Sequence, residues 1–434
     1  MKSLIMRFGR QSAKLPNGQG MTYFDNMRKE VIPAWNNRVV YQSGSESDKF
    51  QRGFSDTVSE SQSSFYIVRK HEGVHRPQGY RLVVTVRLQK LREKVLEQGL
   101  DAILISQPGN YRYLSDFAGA SGSLLVSQSY AVLAVDSIHF EQAKIEAPGF
   151  DILRIRNRVE GFAELVGGQR ISSLGFEASH LAYSEVHRLE GQAEKVQVRL
   201  VPTEGLVESL RAVKEEEEIS HLEKAAEIAD EAFNYIADGL WPGVSEMQAA
   251  WEVERFLREN GSETVPFEVI VASGPNGVLP HARPTDRIIK KGEPIVIDIG
   301  ARVAGYSSDL SRTLCLNPQT ETFKRVYDVV LQAQLSALEK VSTGMTGEQA
   351  DSIARQVIQE AGYGEAFGHG LGHGIGLDVH EEPRLGPNAM NVLADQMVFT
   401  IEPGIYITGW GGVRIEDTVM LERGTTKMLT TARK

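Results

Sequence analysis

Hydrophobic and polar positions follow two regimes along this chain, preceded by a stretch that has neither. Residues 1–78 show no sustained period and are rich in Ser, Gln, Asn and Arg. Such a composition predicts a disordered or extended segment. The apolar residues at 1–6 are too few for a signal-peptide core. From residue 82 the pattern becomes regular. Leu88, Leu91, Val95 and Leu96 share one helical face, which predicts a helix over 86–98 closed by Gly99. Short apolar runs predict strands over 102–106, 123–126, 130–135, 171–176 and 196–201. Helical patterns over 140–146, 160–165 and 184–192 fall between them. This alternation predicts an α/β N-terminal domain over 79–204.

The second regime, 205–434, predicts an α+β domain built by duplication. A short helix over 206–213 is followed by the run KEEEE at 214–218, read as a solvated helix start whose acids suit the helix dipole. That helix runs to residue 240, before Pro242 and Gly243. Two similar turn-and-helix starts follow, each with a capping box: Ser245 with Gln248, and Thr346 with Gln349. The two helices end at Gly261 and Gly362. About fifty residues past each box comes a strand ending in an acid, 294–298 with Asp298 and 397–402 with Glu402. A second strand with another acid follows each, Asp309 in 306–316 and Glu416 in 413–420. Two copies are too few for a solenoid, so the halves are expected to fold face to face.

Composition narrows the function. A formal net charge of −10 argues against a nucleic-acid partner. No apolar run reaches the ~18 residues of a membrane span. The one cysteine, Cys315, excludes an internal disulfide and a thiolate zinc site, and fits a reducing, cytoplasmic compartment. Its apolar surroundings predict a buried structural thiol.

The chemistry is concentrated in residues 368–382, GHGLGHGIGLDVHEE, where His369, His373 and His380 alternate with glycines. Glycine at every second position weakens helix and strand alike, and is tolerated where backbone must approach something closely. Histidine binds transition metals and moves protons near neutral pH. Asp298, Asp309, Glu402 and Glu416 sit on apolar strands, where an unpaired carboxylate is costly. Four acids in one cleft would repel each other, and divalent cations are the simplest remedy. Four carboxylates with one imidazole favour Mn²⁺ or Co²⁺, or Zn²⁺ in a mixed site. Carboxylates that bridge make two ions plausible.

The ordered set Asp298, Asp309, His373, Glu402 and Glu416 resembles the five-ligand pattern of the pita-bread metallopeptidases. The stretches HGLGHGIGLDVHE, IDIGARVAGYSSDLSRT and IEPGIYI carry the likeness. The preceding domain, with Gly99-Leu100-Asp101-Ala102 and Asn110-Tyr111-Arg112-Tyr113-Leu114, is similar to that of the proline-specific branch, the Xaa-Pro aminopeptidases and prolidases. It departs from them at residues 136–140, DSIHF, where Asp-x-Arg-Tyr is common. The resemblance implies an α/β domain of creatinase/prolidase N-terminal type and a pita-bread catalytic domain with an internal pseudo-twofold. It also implies that Asp309 and Glu416 bridge two ions, most often Mn²⁺, that Asp298 holds one, and that His373 and Glu402 hold the other. Glu402 would manage the proton of a hydroxide held between the ions. His281 would stand on the substrate side, His369 and His380 would steady the tetrahedral intermediate or relay a proton, and Arg414 would support the site. His71, His75, His139, His180, His187 and His221 are read as surface or structural.

The activity so implied is release of an N-terminal residue preceding proline, from proline-containing peptides, by a homodimer. The alternatives are an Xaa-Pro dipeptidase, hydrolysis of a non-peptide C–N bond, and a non-enzymatic peptide- or protein-binding module on the same fold.

Overall fold

The computed structural model describes residues 78–317 and 319–434. The expectation for the first 77 residues, with His71 and His75, lies outside them. Helix α1 (Gln78–Glu97) leads into β1 (Ala102–Ile105), whose four residues are all buried. Then come α2 (Pro108–Ser115), β2 (Ser123–Ser127), β3 (Ala131–Val135), α3 (Phe140–Glu146), β4 (Asp151–Arg154), α4 (Phe162–Val166), β5 (Ser173–Glu177), α5 (Tyr183–Ala193) and β6 (Arg199–Thr203). The strands form one mixed sheet in the order β4-β3-β2-β1-β5-β6. β1 is antiparallel to β2 and parallel to β5. Covered on both faces, β1 buries Ile103 and Leu104 completely, each worth about 1.5–3 kcal/mol.

The expected elements are present, with three differences. Helix α2 is not among the expected elements; Pro108 opens it, at the helix start, where its missing N–H costs nothing. Strand β4, DILR, has no fully buried residue and so gives no apolar run. The strand expected at 196–201 begins three residues later, after a 3-10 turn over Glu194–Val196.

The second domain begins with α6 (Glu208–Ala212), α7 (Glu216–Gly239) and α8 (Glu246–Glu259). β7 (Ile270–Ser273), β8 (Pro294–Ile299), the hairpin β9 (Arg302–Val303) and β10 (Tyr306–Ser307), and β11 (Leu310–Cys315) complete the first half. The second half has α9 (Glu321–Lys340), α10 (Gly347–Glu360), β12 (Gly372–Gly374), β13 (Glu381–Leu385), β14 (Val398–Ile401), the hairpin β15 (Gly404–Ile407) and β16 (Gly411–Arg414), β17 (Asp417–Glu422) and β18 (Thr425–Met428). Sheet order β11-β8-β7 in one half matches β17-β14-β12 in the other. A small hairpin interrupts each half before its last matching strand. Both capping boxes form, Ser245 with Gln248 and Thr346 with Gln349. Gly261 and Gly362 follow α8 and α10 with φ of +104° and +84°, the conformation that favours glycine.

The KEEEE run is not a solvated helix start throughout. Glu216 and Glu217 are exposed, but Lys214 and Glu218 are buried. Lys214 Nζ lies 2.7 Å from Glu381 Oε1, and Arg211 pairs with the same carboxylate. Glu218 pairs with Arg87 of α1 and accepts the Tyr306 hydroxyl at 2.9 Å. Of these contacts, the Arg87–Glu218 pair joins the first domain to the second, and the others lie within the second.

Candidate metal centre

Each half of the duplicated unit places two acids at strand ends and strand breaks. Asp298 lies in β8 and Glu402 just past β14. The single strands expected over 306–316 and 413–420 are each broken immediately before or at the acid. Asp309 falls between β10 and β11, and Glu416 between β16 and β17. A break frees an acid from the strict alternation of a strand, so it can turn into the cleft. The breaks are stitched to each other. The Glu416 N–H donates to Ser311 O at 3.0 Å, the Thr418 hydroxyl donates to Asp309 O at 2.7 Å, and the Arg312 guanidinium donates to Glu416 O.

The Gly-and-His stretch supplies the imidazoles. His373 is the middle residue of the three-residue strand β12, between β13 and β14. A Cβ on Gly372 would come within 2.0 Å of Thr400 O, and one on Gly374 within 2.1 Å of Glu382 O. Those glycines therefore provide clearance, which lets neighbouring strands close on His373. The His373 N–H donates to Thr400 Oγ1 at 3.1 Å, and the Thr400 hydroxyl reaches Glu402 Oε1 at 3.3 Å.

The five residues converge. Ligand atoms of Asp309, His373 and Glu416 lie within 4.8 Å of one another. His373 Nε2 is 3.5 Å from Glu402 Oε1 and 3.8 Å from Asp309 Oδ2. Arg414 is the cation nearest the acids. It is almost fully buried and donates to Asp298 Oδ2 at 2.6 Å, the Tyr406 hydroxyl at 2.9 Å, Ser311 Oγ at 2.8 Å and Pro280 O at 3.1 Å. One arginine against four carboxylates leaves the cluster strongly negative.

The proton affinities register that imbalance. Burial, then Glu416, Asp298 and Glu402, raises Asp309 well above the usual carboxylate range. Glu416 is raised by burial and by Glu402 and Asp298, with Arg414 opposing. Glu402 is pushed up to about 8, chiefly by burial. Burial, then His380, lowers His373 to about 4, so its imidazole is neutral and able to ligate at pH 7. Buried Oδ1 atoms of both Asp298 and Asp309 have no hydrogen-bond partner. Buried polar atoms are rarely left so. Orphaned oxygens, excess negative charge and a neutral imidazole together fit divalent cations, and Asp298, Asp309, His373, Glu402 and Glu416 could hold them.

The site opens into a cleft of about 820 Å³, lined by these acids with His281, His369, His380, Phe267 and Ile270. His369 is lowered to about 4 by burial, and its Nε2 lies 3.1 Å from the Tyr406 hydroxyl. The His380 ring centroid is 4.1 Å from that of His373. His380 is open to the cleft on one side, yet packing around its ring still lowers its pKa, with His281 adding to the shift. His281 is exposed on the cleft wall. The remaining described histidines lie elsewhere: His139 against Asp136 and Phe117, His221 stacked on Tyr306, and His180 and His187 at the surface. Cys315 is half-buried rather than buried, and burial raises its thiol pKa.

Two residues of the site lack an assignment from sequence. Tyr406 joins His369 to Arg414 through one hydroxyl, and Thr400 joins His373 to Glu402. Thr400 shares strand parity with Glu402, which was the available signal. Tyr406 gave none, since tyrosine is an ordinary strand former.

Comparison with known proteins places the chain in a family. Residues 220–423 match the metallopeptidase family M24, and residues 87–213 match the creatinase/prolidase N-terminal domain. An Xaa-Pro dipeptidase of Pyrococcus horikoshii is 38% identical over 349 residues, 80% of this chain and 97% of that protein. The structure of an Xaa-Pro dipeptidase from Bacillus anthracis superposes with a TM-score of 0.77 at 38% identity, covering 81% of this chain and 98% of that one. That of an X-Pro aminopeptidase from Thermotoga maritima gives 0.74 at 34%, covering 80% and 98%.

Proposed function

Because this chain belongs to metallopeptidase family M24 and carries a creatinase/prolidase N-terminal domain, we propose that it is a metal-dependent exopeptidase cleaving the peptide bond before proline. The observation that carries this reading is the cluster of Asp309, His373 and Glu416, with Glu402 beside His373 and orphaned oxygens on Asp298 and Asp309. Two divalent ions, Mn²⁺ first, would supply a water of lowered pKa and a Lewis acid for the scissile carbonyl. Asp309 and Glu416 would hold both, Asp298 one, and His373 and Glu402 the other.

The chain's own groups supply the rest. The Thr400 hydroxyl lies 3.3 Å from Glu402 Oε1 and orients a carboxylate at the edge of the cleft, which suits a group that accepts and returns a proton. His281 and His380 stand on the open side, where an imidazole N–H can donate to the oxyanion. His369 reaches Arg414 through Tyr406, so its ring is oriented before substrate arrives. Arg414 fixes Asp298 and, through Pro280 O, the segment carrying His281.

We place Xaa-Pro dipeptides first as substrates, ahead of the aminopeptidase reading expected from the sequence, because the Xaa-Pro dipeptidases align at 38% identity against 34% for the aminopeptidase. Release of an N-terminal residue from longer peptides is the second reading, favoured by a cleft of about 820 Å³, more than a dipeptide fills. Rates on Xaa-Pro, Xaa-Pro-Xaa and Xaa-Ala peptides separate them. Cleavage of Xaa-Pro alone supports the first, cleavage of the tripeptide as well supports the second, and preference for Xaa-Ala contradicts both. A homodimer in a reducing compartment accompanies this reading.

A further inference from the structure

The loop that carries His281 is closed by one buried acid. Glu246 is the first residue of α8 and is fully buried. It does not spend its carboxylate on its own helix. Oε1 accepts from the Ser273 N–H and the Ser273 hydroxyl, each at 2.7 Å. Oε2 accepts from the Thr285 N–H at 3.1 Å and the Thr285 hydroxyl at 2.7 Å. The Asn276 amide reaches both oxygens, at 3.2 and 3.0 Å. Ser273 is where the chain leaves β7, and Thr285 is where it comes back to α8. His281 lies between those anchors, its neighbours held by Arg414 through Pro280 O and by the burial of Ala282.

A neighbouring cation, Arg287, donates to the Ser273 hydroxyl at 2.5 Å and not to Glu246 itself. Arg287 is engaged by Glu293 through bonds of 2.7 and 2.6 Å. Glu246 therefore directs its charge at neutral donors from the two ends of a single loop. Charge-assisted bonds of that kind are about twice as strong as neutral ones. The other half of the duplication anchors its histidine segment from α10 by a different route, through a cation. Asp351 accepts the Leu371 N–H at 2.9 Å and grips Arg355, whose guanidinium donates to Phe367 O and His369 O. In both halves, then, an acid early in the second helix fixes a segment that carries a cleft histidine.

We propose that Glu246 is the positioning residue for His281, closing the 273–285 loop so that this imidazole meets the substrate. The inference rests on the substrate-side role of His281. It is tested by a double-mutant cycle in the full chain loaded with Mn²⁺, using Glu246→Gln, His281→Ala and both together. Glutamine keeps the shape but turns an N–H₂ toward donors. Each single variant is expected to lower kcat/KM by at least about tenfold, with the double no more than about threefold below the worse single. Hydrogen exchange of the metal-free chain is expected to quicken at the Ser273 and Thr285 amides in Glu246→Gln, while bound Mn²⁺ stays at the unmutated level. Additive losses, as a general folding defect would give, or full activity in Glu246→Gln beside an impaired His281→Ala, overturn the proposal. Full activity in His281→Ala overturns the role of that histidine itself. If Glu246→Gln does not fold, Thr285→Val, which removes one donor at the loop's far end, takes its place in the cycle.

Discussion

A single phenol hydroxyl, that of Tyr406, connects the cleft's arginine to one of its histidines. Tyr406→Phe leaves Arg414 with its bonds to Asp298, Ser311 and Pro280, but removes the partner of His369 Nε2. The expected result is a loss of about tenfold or more in kcat/KM with metal content unchanged, measured by kinetics beside elemental analysis. Asp309→Asn has the opposite signature. It removes a charge from the centre of the cluster, so bound metal and activity fall together, the latter by at least about a hundredfold. The acids were legible in sequence because Asp and Glu are expensive on an apolar strand. Tyr406 and Thr400 were not, because their polar atoms ride on residues that strands favour anyway.

At the scale of elements, the repeated capping boxes and helix-ending glycines made the duplication readable. The strand breaks at Asp309 and Glu416 were not readable, since the alternation of apolar residues continues across them. The run at 214–218 shows the same limit for helices. Lys214, which precedes α7, and Glu218, in its first turn, are buried, while Glu216 and Glu217 face water, and composition alone cannot separate them. Lys214 is buried against Glu381, which follows His380 directly. Lys214→Gln removes one partner of a buried pair and is expected to destabilise the chain by about 3–5 kcal/mol. Urea unfolding measures this. A change below about 1 kcal/mol would mean that Arg211 alone satisfies Glu381.

For the whole molecule, the cluster makes stability depend on pH and metal. Glu402, with a folded value of about 8 against an ordinary 4.5, holds a proton in the folded state that the unfolded chain has released between those values. Asp309 and Glu416 are raised in the same direction. Stability of the metal-free protein from this source is present at low pH and is lost as pH rises through the folded values. Its Tm is expected to fall between about pH 6.5 and 8, above the range in which the neutral His369 and His373 act in the opposite direction, and added Mn²⁺ to raise Tm more at pH 8 than at pH 5. An equal gain at both would contradict a metal site built from these acids. No described helix is long and apolar enough to cross a membrane.

Hydrolysis is proposed to depend on a two-ion centre formed by Asp298, Asp309, His373, Glu402 and Glu416. Titrating the metal-free chain with Mn²⁺, while following bound metal and Xaa-Pro hydrolysis together, tests that dependence most directly. Activity is expected to be absent after chelation and to saturate at two ions per chain, and Asp309→Asn is expected to fall short on both counts. Full hydrolysis by the chelated protein, or by Asp309→Asn with its metal content unchanged, would contradict it.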